Sequence, residues 1–580
     1  RTAVVDRRDG PLEVGQADGV ACRTVEVFEA FGLAGRLVEE AYWVNEVTFW
    51  RPDPADRSRI VRTGRVQDVE DGLSEFPHVI VNQARMLAYL RGAMARSAAR
   101  LEPCYGLQVT GVRVDADGAA DHPVTVTLRH VQDGRDTGRT STVRARYVVG
   151  CDGARSAVRT AIGRELAGDA MDQSWGVMDV LAVTDFPDIR LKSAVLSANG
   201  GNLLVIPREG GYLVRLYVEL DALPDGQVPD RRSVTPELLT AVVNRVLHPY
   251  TIDVRHVGWW SVYEIGQRLC DRFDDVPEAQ AATRTPRVFI AGDACHTHSA
   301  KAGQGMNVSM ADAWNLGWKL GAVLRGTARP ELLHTYTAER QAVARELIDF
   351  DREFAAMFSA APTDSGGQDG VDPAEFQRYF VQQGRFTAGV ATRYAPSMIT
   401  AADPCQQLAA GFPVGMRFHS APVVRLADAK PVHLGHAARA DGAWRLYVFA
   451  DPASPADAGS RARALCAALA PELARWTPAG ADPDAVVDVR AVFQQGHREL
   501  SPADLPPLLL PRKGRFGLVD AEKAFCPDPA AGDVFDLRGV DRAEGCMVLV
   551  RPDQHVAHVL PLDGHRELAA FLSGVLVEAR

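Results

Sequence analysis

Two short apolar runs, each breaking on a glycine turn, constrain this chain more than anything else in it. They are Tyr147-Val148-Val149-Gly150 before Cys151-Asp152-Gly153, and Val288-Phe289-Ile290-Ala291 before Gly292-Asp293. Runs this short and unbroken suit strands of a parallel sheet covered on both faces, whose ligands lie beyond the strands' carboxyl ends. They predict an α/β architecture. Between them the texture changes: residues 189 to 220 are β-rich and divided by Ala198-Asn199-Gly200-Gly201 and Glu209-Gly210-Gly211. Turn residues at such intervals predict antiparallel strands, a separate sheet inserted in a nucleotide-binding domain. After Gly305, the residues Met306, Met310, Ala313, Leu316, Leu320 and Val323 recur at three and four and predict one long helix reaching Leu324.

The 580 residues are enough for several domains. We expect a nucleotide-binding domain from 1–165 and 265–355, an inserted substrate-binding sheet over 166–264, a connector of helical composition over 356–410, and a last unit over 411–580. In that last unit the order is strand (Trp444 to Phe449), helix (Ser460 to Ala470), strand (Val486 to Phe493), hairpin (Met547 to Val550 and Val556 to Leu560) and a final helix from His565. This is a thioredoxin-like order. It contains no Cys near Asp451-Pro452-Ala453-Ser454, which leaves a structural role rather than dithiol chemistry.

Charge decides what the partner is not. With 64 Lys+Arg against 74 Asp+Glu the net charge is −10, so nothing favours a nucleic acid or an anionic membrane, and the ligand is expected to be small. Nine cysteines without a C-x-x-C pair read as a reducing compartment, and no apolar run approaches the ~20 residues needed to cross a bilayer. The expected location is the cytoplasm.

The most specific stretch is Arg287-Val288-Phe289-Ile290-Ala291-Gly292-Asp293-Ala294-Cys295-His296, then Lys301-Ala302-Gly303-Gln304-Gly305-Met306-Asn307, then a helix with Asp312, Asn315 and Lys319. An acid at a strand's end can accept hydrogen bonds from a chain of hydroxyls, while Gly303 and Gly305 let backbone approach a flat ring at a helix start that favours negative charge. A reduced flavin is such a ring. His296 and His298 with Cys295 are too poor a tetrahedral set for zinc, and no metal is expected.

That stretch resembles the second FAD-binding motif of the single-component flavoprotein aromatic hydroxylases, in their phenol hydroxylase branch. Cys151-Asp152-Gly153-Ala154-Arg155-Ser156-Ala157-Val158-Arg159 is similar to the family's Asp-Gly motif, which implies a role for Asp152 at FAD and the nicotinamide cofactor. Gly15-Gln16-Ala17-Asp18-Gly19-Val20 resembles the active-site loop, with Arg23 as the arginine that reaches the FAD phosphates. Gln83 and Arg85 resemble a helix start near the flavin, and Asp293, Gly303, Gly305, Met306 and Asn307 are the further cofactor contacts implied. Phe418-His419-Ser420-Ala421-Pro422 and Arg551-Pro552-Asp553-Gln554 match the family's thioredoxin-like dimerisation domain, which implies a homodimer.

The sequence departs from the family in lacking a G-x-G-x-x-G turn, and it opens without Met on a strand ending at Asp6, where the ribose-binding acid of such folds sits. We therefore expect a Rossmann-like domain whose first βα unit is missing. Ala300 also stands where many relatives carry Pro.

Hydroxylation of a phenol is electrophilic and is faster on the phenolate, so the site needs a base at the phenol and a dry cavity above the flavin. Tyr217 shares a strand face with Arg215, opposite Val214, Leu216 and Val218. By residue type alone it could equally be a core tyrosine; the resemblance implies that Tyr217 contacts the phenol and Asp18 assists it. Lys192 and His78 are the candidates for a carboxylate on the substrate. The resemblance implies an FAD-dependent monooxygenase, drawing on NADPH or NADH and oxygen, that hydroxylates a phenolic acid ortho to its hydroxyl, with 3-hydroxybenzoate to 3,4-dihydroxybenzoate as the expected conversion. The alternatives are hydroxylation of a phenol or larger polyketide-type aromatic, and a flavin-less binding or assembly fragment.

Overall fold

The computed structural model describes residues 1–115, 121–220, 233–298, 304–359 and 383–579. The two constraining runs pair in parallel, Val148 opposite Val288 and Gly150 opposite Ile290. Val288, Phe289 and Ile290 are fully buried between Val124, Val126 and Leu128 of an antiparallel three-stranded sheet and the helical residues Leu316 and Tyr336. That enclosure is why the run is uniformly apolar. Its partner is less enclosed, with Val149 39% exposed. The long helix spans Gly305–Arg325 and stops at Gly326, whose φ of 73° is the left-handed conformation that ends helices on glycine.

The inserted sheet is larger than its sequence signal. Lys192–Ser197, Gly201–Pro207 and Val214–Glu219 form the expected antiparallel meander. They continue on one side to two strands of 19 residues, Leu166–Thr184 and Ile252–Cys270, and on the other to Glu46–Pro52 and Ile60–Gln67. Glu46–Pro52 pairs in parallel with Lys192–Ser197, so part of the stretch expected in the nucleotide-binding domain belongs to this sheet in space, and the sheet is not confined to 166–264. A parallel neighbour from distant sequence leaves no local turn signal, which is why chain order alone misplaces it.

One face of this sheet packs Met178, Val180, Val195, Val205, Leu216 and Val218 against the helix Pro236–Val246. The opposite face carries Val47, Phe49, Trp175, Ala194 and Leu196, with Leu204 and Tyr217 partly buried among them.

The last unit is a thioredoxin-like fold on a seven-stranded sheet. Trp444–Phe449, the helix Arg461–Ala474 capped by Ser460, Val487–Val492, the hairpin Cys546–Val550 with Val556–Leu560, and the helix His565–Val575 follow the expected order. Pro422–Arg425, Lys430–His433 and Ala524–Pro527 extend the sheet; four residues each and three prolines among them gave no strand signal. The connector is not helical over 383–410: it holds one short helix, Gly384–Thr387, and a 3-10 turn, Gln406–Leu408, because its glycines and Asp403-Pro404 interrupt any longer helix. Among the described residues no helix is long and apolar enough to cross a membrane.

A buried ionic cluster ties this unit to the long helix. Arg551 Nη1 and Nη2 donate to Glu339, Nη2 also to Asp553 (2.6 Å), and Glu339 accepts from Lys319 Nζ (2.7 Å) and Asn315 Nδ2 (2.8 Å).

Candidate active site

Pairing registers fix what shares the open face of the sheet. One row across the strands reads Asp179, Arg215, Ile206, Lys192, Val47, and the next reads Val177, Tyr217, Leu204, Ala194, Phe49. Adjacent strands lie about 4.8 Å apart, so Lys192 stands roughly 10 Å from Arg215 and one step along the strands from the Tyr217 row. Charged and phenolic groups thus occupy two ends of an apolar floor.

At one end is a buried acid-base cluster. Arg215 donates from Nε and Nη2 to Asp179 (2.6 and 2.8 Å) and from Nη1 to the Gln16 carbonyl. Arg208 donates to Asp179 (2.8 Å). Asp18 Oδ2 lies 3.2 Å from Arg215 Nη1 and 3.4 Å from Arg208 Nη1, yet accepts no well-formed hydrogen bond among the described residues. It is a buried acceptor with capacity to spare. Tyr217 is partly accessible but surrounded by protein; burial pushes its hydroxyl above the ordinary value, Arg215 pulls it back and Asp18 adds to the rise. The hydroxyl therefore keeps its proton through neutral pH. Asp179, Arg208 and Arg215 are a set that local sequence could not assemble, since Arg208 sits in a turn and Asp179 inside a long strand.

At the other end Lys192 and His78 meet over one carboxylate. Lys192 Nζ donates to Asp68 Oδ1 (2.9 Å) and His78 Nδ1 lies 2.8 Å from Asp68 Oδ2. Asp68 is 5% exposed, whereas His78 and Lys192 keep 18% and 17%. Burial works against the Asp68 carboxylate, but Lys192 and His78 outweigh it and hold the acid well below its ordinary range. His78 Nε2 faces Gly19, beside Asp18: a Cβ there would sit 3.5 Å from it.

The active-site loop is held by backbone proximity and amide caps. A Cβ at Gly15 would lie 2.3 Å from Gln83 Cβ, so only glycine fits. Gln83 Oε1 accepts from the Gln16 N–H (3.1 Å), and Asn307 Oδ1 accepts from the Ala21 N–H (3.0 Å) and the Thr24 hydroxyl (2.8 Å). Asn307 also donates to the Gly19 carbonyl (3.0 Å), so the long helix positions the loop that carries Asp18. Met306 packs against the apolar cluster that contains Val20.

Several residues expected at the cofactor also have protein partners. Arg23 turns to the last unit, donating to Gln554 Oε1 (2.7 Å) and the Asp553 carbonyl (3.0 Å), and to Glu26 (3.0 Å). Arg85 grips Glu40 with two bonds (2.7 and 2.6 Å). Asp6 is paired with Arg8 (2.7 Å). Asp152 accepts from Ser156 and from the Ala157 (2.8 Å) and Val158 (3.2 Å) N–H groups, capping the helix Ala157–Ala161. Gly303 and Ala300 lie outside the described residues.

A flavin fits what remains. The helix Gly305–Arg325 starts without a side-chain cap and without an acid in its first turn, leaving its N–H groups for an electronegative ring edge. A side chain at Gly305 would strike the His298 ring at 2.6 Å, so the backbone is bare there. Asp293 stands exposed in the turn Gly292–Ala294 with no hydrogen bond among the described residues. Asp312 anchors that turn from below, accepting from the Gly292 N–H (3.1 Å) and Arg340 Nε (2.7 Å) and facing His296 (2.8 Å). In the sequence Asp312 is marked only by its place in the helix pattern after Gly305.

A strand ending over a glycine-led helix, joined to a sheet with an acid-base cluster above an apolar floor, is the build of a flavin-dependent ring hydroxylase. The FAD binding domain family matches residues 1–351, and the phenol hydroxylase C-terminal dimerisation domain family matches residues 392–580. The 3-hydroxybenzoate 4-monooxygenase of Comamonas testosteroni is 59% identical, across 99% of this chain and 91% of that protein. An FAD-dependent monooxygenase of Aspergillus terreus is 40% identical over 99% and 92%. The flavin-dependent monooxygenase PieE, solved with FAD and substrate, shares the fold at a TM-score of 0.70 and 21% identity, covering 98% of this chain and 93% of that one. The chain belongs to the FAD-binding aromatic hydroxylases that carry the phenol hydroxylase dimerisation domain. It is a flavoprotein aromatic monooxygenase that uses FAD with NAD(P)H.

Proposed function

We propose that this chain hydroxylates a phenolic acid ortho to its hydroxyl, converting 3-hydroxybenzoate to 3,4-dihydroxybenzoate, as a cytoplasmic homodimer. The observation that carries the reading is the separation of two polar clusters, Tyr217 with Asp18 and Lys192 with His78, by an apolar floor on one sheet face. The name of the Comamonas relative supports the same substrate.

The substrate's phenol donates to Tyr217 Oη, and the Tyr217 proton is relayed toward Asp18 Oδ2, the acceptor that has capacity to spare. The negative charge is left on the phenol oxygen beside Tyr217, while Arg215 and Arg208 face Asp18 Oδ2 and Asp179 keeps both guanidiniums oriented. Loss of the phenol proton raises electron density at the ring carbon beside the oxygen. Bound FAD would supply the redox chemistry, hydride acceptance from NAD(P)H and oxygen activation, that hydroxylation of that carbon needs. Val47, Phe49, Ala194 and Leu196 keep water from the ring, while Asp293, Gly305, Met306 and Asn307 hold the flavin edge. Lys192 and His78 bind the carboxylate, because an unpaired carboxylate in such a cavity is very costly.

Lys192→Met tests this. A lost charged hydrogen bond is worth roughly 1.5 to 3 kcal/mol, so KM for 3-hydroxybenzoate should rise about ten- to hundredfold, with little change for 3-hydroxybenzyl alcohol. Equal loss of both substrates would remove the carboxylate assignment.

A further inference from the structure

Asp68 and His78 sit at the two ends of one loop. Residues 68–77 run without helix or strand from Ile60–Gln67 to His78–Ile80, and the contact of His78 Nδ1 with Asp68 (2.8 Å) draws the ends together. Irregular backbone has no ladder to satisfy its carbonyls, so their partners must come from elsewhere. Here the last unit supplies them. Arg417, 5% exposed, donates from Nη2 to the Leu73 carbonyl, and His419 donates from Nε2 to the Gly72 carbonyl (2.9 Å). His436 Nε2 lies 2.8 Å from Glu75 Oε1, and its ring stacks on Phe76 with centroids 5.5 Å apart. Resting on the carboxylate subsite proposed above, we propose that the last unit shapes the substrate site, beyond the dimerisation for which its family is named: Arg417, His419 and His436 are positioning residues that hold the loop ending in Asp68 and His78, and so set the preference for carboxylated phenols.

These contacts reach the subsite itself. Leu73 is buried with Cys22, Ala388 and Val390, so the Arg417 bond to its carbonyl fixes a side chain lodged under the helix that follows the active-site loop. The Cys22 thiol at the start of that helix is pushed up by burial, then by Glu26 and Asp68, and drawn back by Arg417, so Arg417 and Asp68 act on one buried point. Glu26 joins the same clasp: its Oε1 accepts from the Ser74 hydroxyl (2.8 Å) and lies 3.4 Å from Arg417 Nη1, while its Oε2 accepts from Arg23 (3.0 Å). Burial, with the cations of Arg417 and Arg538, pushes His419 down to about 3, which keeps it a neutral donor to Gly72 through the working range. Lys192 Nζ and His78 Nδ1 meet separate oxygens of Asp68 (2.9 and 2.8 Å). A shift of the loop therefore turns both groups that face the substrate's acid. The Tyr217 end, set by the pairing of its own strand with Leu166–Thr184, stays in place.

The test removes the two partly exposed grips, His419→Ala with His436→Ala, in the FAD-loaded enzyme. Titration followed by flavin absorbance gives Kd for 3-hydroxybenzoate and for 3-hydroxybenzyl alcohol. The acid's Kd should rise about tenfold, the size of one misplaced hydrogen bond to a charged group, while the alcohol's stays within about twofold. Flavin per chain and sedimentation should match wild type. His419→Gln with His436→Gln keeps an N–H donor at the reach of Nε2 and should restore most of the discrimination, a recovery that a general loosening of the fold would not show. If the double alanine variant sheds its flavin, His419→Ala alone carries the test, with a rise of about threefold for the acid and none for the alcohol. A wild-type ratio of the two Kd values in a folded variant, or an equal rise for both ligands, overturns the clamp. Lys192→Met separates the two readings: discrimination lost there but intact in the loop-clamp variants sinks only the clamp, whereas equal loss of both ligands in Lys192→Met sinks the subsite.

Discussion

Removing one oxygen from Tyr217 isolates the proton relay from the packing around it. In Tyr217→Phe the ring keeps its place in the apolar cluster with Val47, Phe49, Ala194 and Leu196. Arg215 keeps its two bonds to Asp179 (2.6 and 2.8 Å) and its bond to the Gln16 carbonyl, so neither the sheet nor the loop loses an anchor. The stability cost should stay near that of one hydrogen bond, about 1 kcal/mol. The effect on turnover should be far larger, because positioned acid-base groups contribute ~10² to 10⁴ in rate, equivalent to roughly 3 to 5 kcal/mol of barrier. Three quantities separate the cases: flavin absorbance per chain, the thermal midpoint, and dihydroxylated product formed per NAD(P)H consumed. We expect the first two near wild type, a collapsed product yield, and oxygen diverted to hydrogen peroxide. A variant that hydroxylates at the wild-type rate and yield refutes the relay; one whose flavin content and midpoint fall in parallel with activity makes Tyr217 a packing residue.

Two further outcomes are expected. Asp293→Asn should lower flavin content with an unchanged circular dichroism spectrum, since the side chain is exposed and makes no hydrogen bond among the described residues; loss of fold and flavin together would count against a cofactor role. Burial raises the Asp488 carboxyl, but Arg490, Lys523 and Arg445 outweigh it and lower it to about 2. Because the folded value is depressed, its contribution of about 2 kcal/mol is present above the unfolded value near pH 4 and is lost as pH falls through about 2. Denaturant midpoints measured across that window should fall with pH in the wild type and fall less in Asp488→Asn.

What sequence reveals here divides by range. The parallel pair, the helix Gly305–Arg325, the meander around Tyr217 and the thioredoxin-like order were legible because each rests on local periodicity or turn chemistry. The face shared by Lys192, Ala194 and Leu196 follows from alternation alone. The joining of Glu46–Pro52 to Lys192–Ser197 does not, because parallel pairing across more than a hundred residues leaves no mark in either strand. Asp68 was hidden for a related reason. With Glu70 and Asp71 before Gly72 it has the composition of a solvated turn, and only the third dimension sets Lys192 and His78 against it. Arg23, Arg85, Asp6 and Asp152 show the converse. Their residue types suit phosphate, ribose and amide donors, and the same chemistry lets neighbouring groups satisfy them.

The ionic cluster between the long helix and the last unit completes the account of how the site is held. Buried ion pairs add little net stability over well-packed apolar groups, but breaking one costs about 3 to 5 kcal/mol because a charge is stranded. Such a contact therefore penalises wrong placements more than it rewards the right one. Lys319 and Asn315 engage Glu339 midway along a helix whose first turn carries Asn307 and whose Asp312 holds the Gly292 turn. A one-residue slip of that helix would rotate it by 100° and strand Lys319, Asp312 and Asn307 at once. An apolar interface tolerates sliding that this one does not, so Arg551 and Asp553 of the last unit fix the register of the helix that carries Gly305 and holds the Asp18 loop, the two positions proposed above for the flavin and the phenol.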